Sequence, residues 1–429
     1  MTTQERHNDG RAPSIASMPS MGVYVHFPWC LAKCPYCDFV SYAAARDAID
    51  HAAYADAVVS EIDRRAPAAA GRRVRSVFFG GGTPSLWEPR ELGRVLARVV
   101  RAAETVGDAG LEVTVECNPS SLDEDRARAL LDVGVNRLSV GVQSLRDDRL
   151  RFLGRLHDAD RARAALRAAQ RAGAGRELAL SADLIVGLPG QSPAEARDQA
   201  IELLELGLTH LSCYQLTIEP GTRFGELAKR GRLPLADEGQ VAETFLAVDE
   251  ALSGRGLRHY EVSNFAAAGD EARHNLGYWR GEEYLGLGCA AVGFLRHAEG
   301  RSGGARYRNE PRPERYVQRT RERRPEPRAA EQPAGPGAAG DPIDEIAETV
   351  EHLDAPTLLR ERIMLGLRLD EGVDIEAAAR ELDTPGWTPE RSRAAAWLEA
   401  RGRLVRQGGR ARIPRSAWLW TDDTAARLF

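Results

Sequence analysis

Short runs rich in Val, Leu, Ser and aromatic residues alternate, from residue 22 onward, with longer stretches in which Ala, Leu and Arg recur at helical spacing. The short runs are GVYVHF (22–27), RSVFFG (75–80), LEVTVE (111–116), NRLSVG (136–141), LALSADLI (178–185) and HLSCYQL (210–216). Each is followed by a loop and then a helical pattern, such as SPAEARDQAIELLELG from Ser192 to Gly207. Repeated strand–helix units predict a parallel sheet with its helices outside. Six units predict an α/β fold, a partial (β/α)6 barrel with a wide mouth. Glycine and polar residues gather just after the strands, in GGGTP, ECNP, GVQS and DLIVGLPGQ. In a parallel barrel those loops open on one face, where active sites are built.

The alternation lapses from Arg301 to about residue 345, where RPERYVQRTRERRPEPRAAEQPAGPGAAGDP reads as a linker or disordered insert. Order resumes with TLLRERIMLGLRL, DIEAAARELD, TPERSRAAAWLEARG and RLVRQGGRARIP, three helices and a hairpin turning at Gly408 and Gly409. The expected organisation is a disordered leader (1–21), a barrel (22–265), a segment at the barrel mouth (266–300), the insert (301–345) and a winged-helix-like α+β domain (346–429). That last unit lacks a clear cationic recognition helix, so nucleic acid is not the expected partner.

Composition narrows the setting. Of the 58 basic residues all but Lys33 and Lys229 are arginine, they are interleaved with acids, and the net charge is −5, so the arginines carry no nucleic-acid footprint. Six cysteines in 429 residues are too sparse for a disulfide scaffold. The first twenty residues lack the apolar core of a signal peptide, and no apolar run reaches the roughly 18 residues of a membrane span. The expectation is a cytoplasmic protein with reduced thiols, whose only membrane contact would be peripheral.

Cys30, Cys34 and Cys37 follow the first strand within a single loop. A structural zinc needs a fourth ligand and usually a second close pair, while Cys117, Cys213 and Cys289 are isolated. A dithiol redox pair at Cys34 and Cys37 leaves Cys30 unused. An iron–sulfur cluster of four irons normally takes four thiolates; three leave one iron open for a small molecule. The later loops offer partners for such a molecule. The glycines of FGGGTP permit close backbone approach, Glu116, Gln143 and Asp183 end or follow strands, and Arg155 can pair with a carboxylate.

Cys-x3-Cys-x2-Cys is the signature of the radical S-adenosylmethionine (SAM) superfamily. The order VYVHFPWCLAKCPYCDF, FGGGTPSL, ECNP, NRLSVGVQS, LGRLH, SADLIVGLPGQ, LTIEPGT and HYEVSNFA resembles the oxygen-independent coproporphyrinogen III oxidase-like family. The resemblance covers about residues 22–300 and resumes at RERIMLGLRL. It implies a 4Fe–4S cluster on Cys30, Cys34 and Cys37. It further implies SAM contacts at Tyr24, Tyr36, Gly81, Gly82, Thr83, Glu116, Gln143, Arg155 and Asp183. The true oxidase has a further cysteine two residues past the third, whereas this chain reads Cys37-Asp38-Phe39. The form CPYCDF is similar to the HemW type, regarded as a heme chaperone. Its HNxxYW motif, associated with heme, falls here on His274, Asn275, Tyr278 and Trp279. A histidine can ligate heme iron and aromatic rings can cover the macrocycle. His26, His259 and His297 are reserve ligands, each expected to be structural. The implied partners are heme, heme-accepting proteins with respiratory ones among the candidates, and a flavodoxin- or ferredoxin-like electron donor wherever SAM is cleaved. The alternatives are oxidative decarboxylation of coproporphyrinogen III, or another radical reaction on a tetrapyrrole.

Overall fold

The structure is a computed structural model that describes residues 18–102, 104–105, 110–297, 302–322 and 346–429. Six parallel strands appear where the alternation placed them: β1 (Ser20–Phe27), β2 (Arg73–Gly81), β3 (Glu112–Cys117), β4 (Arg137–Gln143), β5 (Ala179–Val186) and β6 (His210–Gln215). Between them run α1 (His51–Ala69), α2 (Pro89–Ala102), α3 (Glu124–Asp132), α4 (Asp147–Phe152), α5 (Ala159–Ala172) and α6 (Pro193–Glu205). Their starts are fixed locally. The side chains of Asp50, Asp123, Asp158 and Ser192 each accept the amide three residues on, and Pro193 occupies a first-turn position where no amide bond is lost.

The strands pair in phase. Val25 lies beside Phe79, Phe79 beside Val115, Val115 beside Leu138 and Leu138 beside Leu180, a row buried against the surrounding helices. The alternate positions face the lumen: Tyr24, Phe78, Thr114 and Arg137 in one row, with Glu116, Ser139, Ser181 and His210 in the next. Period-2 patterning therefore builds an apolar jacket around a polar interior.

After β6 come α7 (Arg223–Lys229), α8 (Glu238–Ser253) and the antiparallel strands β7 (Arg258–Glu261) and β8 (Asn264–Ala266). The chain then crosses to the other edge of the sheet through α9 (Arg273–Trp279) and adds β9 (Glu283–Leu287) in parallel beside β1. The antiparallel strands β10 (Val292–Arg296), β11 (Gly304–Asn309) and β12 (Ala347–Leu353) complete the sheet, with α10 (Pro313–Glu322) after β11.

Three expectations change here. Residues 304–309 and 313–322 are a strand and a helix, because Ala305, Tyr307 and Asn309 alternate as buried residues beneath the arginines. The rest of the expected insert, 323–345, lies outside the described residues, as do residues 1–17 of the expected leader, whose Ser20 and Met21 already belong to β1. Strand β12, placed by sequence in the C-terminal domain, instead pairs with β11 in the large sheet.

A buried charge network holds this extension to the barrel. Glu61 and Arg65, both on α1, pair at 2.5 Å with side chains that are 0% and 1% exposed. Glu61 accepts from the Gly288 amide, the Asn309 side chain and the Tyr316 hydroxyl, while Arg65 donates to the Gly286 carbonyl and to Asn309.

The C-terminal unit has α11 (Ala355–Gly366), α12 (Ile375–Glu381) and α13 (Pro389–Glu399), with a small sheet of β13 (Val373–Asp374), β14 (Val405–Gln407) and β15 (Arg410–Arg412). Gly408 and Gly409 have φ of +58° and +85°, the geometry a two-residue hairpin turn demands. This is the expected winged-helix-like arrangement. It docks on the barrel edge through the Val262 amide to the Arg368 carbonyl and the Asp370 amide to the Tyr260 carbonyl.

Glu61→Ala removes the carboxylate paired with the buried Arg65 guanidinium and should cost about 3–5 kcal/mol. Urea unfolding followed by circular dichroism reads this loss directly, and a change within error of zero would contradict the network's role.

Candidate cluster and cofactor site

The loop after β1 carries the three thiols and is fastened at both ends. Trp29–Cys30 forms a two-residue parallel ladder with Tyr42–Ala43, and His26 Nε2 meets the Val40 carbonyl at 2.8 Å. Inside it the Cys37 amide donates to the Cys34 carbonyl.

The end of β2 packs directly on this loop. The Gly82 amide donates to the Phe27 carbonyl and the Thr83 amide to the Trp29 carbonyl. A Cβ at Gly82 would stand 2.6 Å from the Trp29 oxygen, and one at Gly81, where φ is +108°, 2.5 Å from the His26 ring. The glycine run is thus required by close approach of protein to protein, in addition to any ligand.

Arg155 lies in the loop after α4 and bridges two parts of the site. Its Nη2 donates to the Gly141 carbonyl at 2.9 Å and its Nη1 lies 3.5 Å from the Cys34 sulfur. The Thr83 hydroxyl donates to the Cys30 sulfur at 3.4 Å. Burial raises the Cys30 and Cys37 thiols above their usual range, opposed at Cys30 by the Thr83 contact and the Arg155 charge. Neighbouring thiols add to the rise at each. Among the described residues no three His, Cys, Asp or Glu side chains are arranged for a single metal ion.

Below the loop is a cavity of about 700 Å³. Its walls include Cys30, Cys34 and Cys37, together with Tyr24, Tyr36, Gly81, Gly82, Thr83, Glu116, Gln143, Arg155 and Asp183, so every residue expected at the cluster and at SAM meets one space. Gln143 holds a left-handed backbone, φ 64°, where the β4–β5 register shifts. Burial, with Asp183 adding repulsion, pushes the Glu116 carboxyl up to about 8. Burial raises Asp183 to about 6, against hydrogen bonds from Ser212 and Ser139. Two buried acids beside Arg155 and three thiols form a donor set suited to a cluster with a cationic amino-acid ligand.

The HNxxYW helix is not at the mouth. It crosses beneath the barrel, against the N-terminal ends of the strands, where the Glu112 carboxylate accepts the Arg273 and His274 amides at 3.0 Å each. His274 is buried, stacked on Phe78, and both ring nitrogens are engaged, Nδ1 with the Ser76 hydroxyl at 2.9 Å and Nε2 with the Tyr278 hydroxyl at 3.0 Å. Burial lowers its pKa to about 3, so it is neutral. Asn275 and Tyr278 form the floor of the cavity, whereas His274 and Trp279 do not line it. Trp279 instead lies under the Arg368 guanidinium at 5.8 Å. The reserve histidines are structural or remote: His26 is held by Tyr24 and Val40, His259 by Asp249 and Phe265, and His297 stacks near His352.

Sequence reasoning passed over Thr114, Arg137, Ser139, Ser181, His210 and Ser212, which line the lower cavity. Thr114 Oγ1 and His210 Nδ1 have no hydrogen-bond partner there. The signal was present in the alternating polar positions of RLSV, LSAD and HLSC, once those strands are known to surround a lumen.

The Radical SAM superfamily model matches residues 24–204, and the HemN C-terminal domain model matches residues 353–420. The heme chaperone HemW of Escherichia coli is 38% identical over 288 residues, covering 67% of this chain and 73% of that protein. HemW of Haemophilus influenzae is 35% identical over 290 residues, with the same coverages of 67% and 73%. The mitochondrial radical S-adenosyl methionine domain-containing protein 1 of Bos taurus is 42% identical over 271 residues, 63% of this chain and 60% of its own length. In structure, E. coli coproporphyrinogen III oxidase (HemN), a radical SAM enzyme, superposes with a TM-score of 0.74 at 20% identity, covering 96% of this chain and 90% of that one. At that identity the likeness establishes the fold. None of the helices described is long and apolar enough to cross a membrane.

Glu116 also sets a pH dependence. The unfolded carboxyl ionises near its ordinary 4.5 while the folded one holds its proton to about 8, so the folded state binds the extra proton between them. Stability of the protein without ligand should therefore fall as pH rises through that window. Glu116→Gln should flatten the slope in urea titrations, and an unchanged slope would contradict the assignment.

Proposed function

The chain belongs to the HemW family of radical SAM proteins, and on that premise we propose that it binds heme and passes it to acceptor proteins, with a 4Fe–4S cluster and SAM in the barrel. One observation carries the reading: the three thiols, all nine SAM-contact positions and two residues of the heme motif line a single cavity. The sequence Cys37-Asp38-Phe39 supports the chaperone branch over the oxidase, whose fourth cysteine is missing.

Cys30, Cys34 and Cys37 are the cluster ligands in this reading. When bound, the cluster supplies a low-potential electron and one open iron site for the amino and carboxylate groups of SAM. Metal loading requires the thiols to shed protons, and Arg155 and Thr83 favour the anions that result. Tyr24 and Tyr36 flank SAM, Glu116 and Asp183 answer its positive charge, and Arg155 and Gln143 hold its polar groups. Gly81, Gly82 and Thr83 bring backbone and hydroxyl close to its amino-acid end.

Asn275 and Tyr278 are the motif residues facing the cavity. His274 acts by positioning the Tyr278 hydroxyl, and Trp279 braces the helix against Arg368. Heme-accepting proteins, and an electron donor wherever SAM is cleaved, are the partners this function requires.

After anaerobic reconstitution, heme titration followed by absorbance should show stoichiometric uptake, weakened about tenfold or more in Tyr278→Ala and His274→Ala, the usual cost of losing a positioning partner at a metal site. Uptake equal to wild type in both variants would refute the motif assignment. Protoporphyrinogen formed with turnover from coproporphyrinogen III would replace the chaperone reading with the oxidase.

A further inference from the structure

The lower part of the cavity holds side chains that the cluster and SAM do not use. Thr114, Arg137 and His210 line it and are 2%, 4% and 3% exposed. Buried polar groups are nearly always partnered, so those left open mark a place where something else supplies the bond. Among the described residues, Thr114 Oγ1 and His210 Nδ1 have no hydrogen-bond partner.

What His210 offers follows from its neighbours. The Ala272 amide donates to the Tyr260 oxygen at 3.2 Å, which leaves the phenolic hydrogen for His210 Nε2 at 2.8 Å. Burial, and after it the Arg137 charge, hold the ring well below its ordinary pKa, so it is neutral. A neutral imidazole that accepts at Nε2 carries its hydrogen on Nδ1, the atom without a partner. His210 therefore presents an unused donor.

The three groups are set around one corner of the lumen. Thr114 and Arg137 are direct neighbours across the β3–β4 pairing. Arg137 Nη2 donates to the Asp270 carbonyl at 2.8 Å, while His210 reaches the Ala272 amide through Tyr260, so both are tied to the same short segment ahead of α9. Glu112 stands 3.7 Å from Arg137 Nη1, too far for a hydrogen bond, and its oxygens accept the Arg273 and His274 amides.

A guanidinium, an imidazole N–H and a hydroxyl all give hydrogen bonds, which selects an anion over a neutral or cationic group. The charge of that anion is bounded too. Glu112 offsets part of the single cation and Asp183 lines the same space, so a phosphate with nearly two charges is disfavoured against a singly charged carboxylate. The SAM carboxylate is met elsewhere in the proposed reading, by Arg155 beside Cys34. We propose that Thr114, Arg137 and His210 form a carboxylate subsite in the lower lumen, for an acid group on the tetrapyrrole or for a free short-chain acid. The first source rests on the heme reading above; the second does not.

The test uses the anaerobically reconstituted protein with SAM. Hemin and its dimethyl ester, in which both propionates are capped, are titrated by absorbance. In a second arm without heme, thermal unfolding is followed with sodium propionate, against propionamide and sodium chloride as controls. Thr114 Oγ1 bonds nothing in the protein, so Thr114→Val should melt no lower than wild type and reads the subsite without a folding cost. Wild type should bind hemin about tenfold or more tighter than the diester, a gap that Thr114→Val narrows and Arg137→Gln abolishes. That result assigns the carboxylate to the tetrapyrrole. Equal binding of hemin and diester, with propionate alone raising the melting temperature of wild type and of neither variant, assigns it to a free acid. No preference for hemin and no protection by propionate overturns the subsite, as do effects that both variants keep. Absence of any hemin uptake would refute the heme reading, and the propionate arm then still decides this one.

Discussion

The Arg155 guanidinium, shared between the Cys34 sulfur and the Gly141 carbonyl, fixes the thiol-bearing loop to the barrel wall. That loop is only as useful as its position over the lumen. Burial raises the Cys30 and Cys37 thiols, and the Arg155 cation opposes that rise at Cys30. Thr83 and the glycines beside it close the same contact from the other side, since only residues lacking a Cβ let β2 pass so near Trp29 and His26. The thiol loop held at this junction caps a space to which all six parallel strands present side chains.

The floor is set by a second constraint. An incomplete barrel leaves an open side, and the chain must cross from β8 to β9 to reach β1. Helix α9 does this with its first amides satisfied by Glu112, a carboxylate at a helix N-terminus, where charge and dipole agree. The same crossing turns His274 inward between Ser76 and Tyr278, which occupies both its nitrogens. The motif histidine has, in the folded chain, both ring nitrogens hydrogen-bonded, one of them to the tyrosine four residues on.

Much of this was legible in the residues. Strand positions were, because each strand is buried on its outer face and polar within, and strict alternation marks that state. The thiol spacing and the loops after the strands were too, since a parallel barrel sends all of them to one end. The course of α9 was not, because local pattern does not say which end of the barrel a crossing segment takes. Strand β11 and helix α10 were hidden by arginines at alternate and helical positions, which mimic a charged linker although Tyr307 and Tyr316 are buried. The polar lining at Arg137 and His210 gains meaning only once neighbouring strands are placed side by side.

In the proposed site, three thiols on one loop would leave one iron of the cluster open to SAM. Electron paramagnetic resonance of the anaerobically reconstituted, dithionite-reduced protein tests it most directly, recorded with and without SAM. A 4Fe–4S signal whose g values shift on SAM addition is expected, with the signal lost in Cys34→Ala. A signal unchanged by SAM, or one that survives the loss of Cys34, would contradict it.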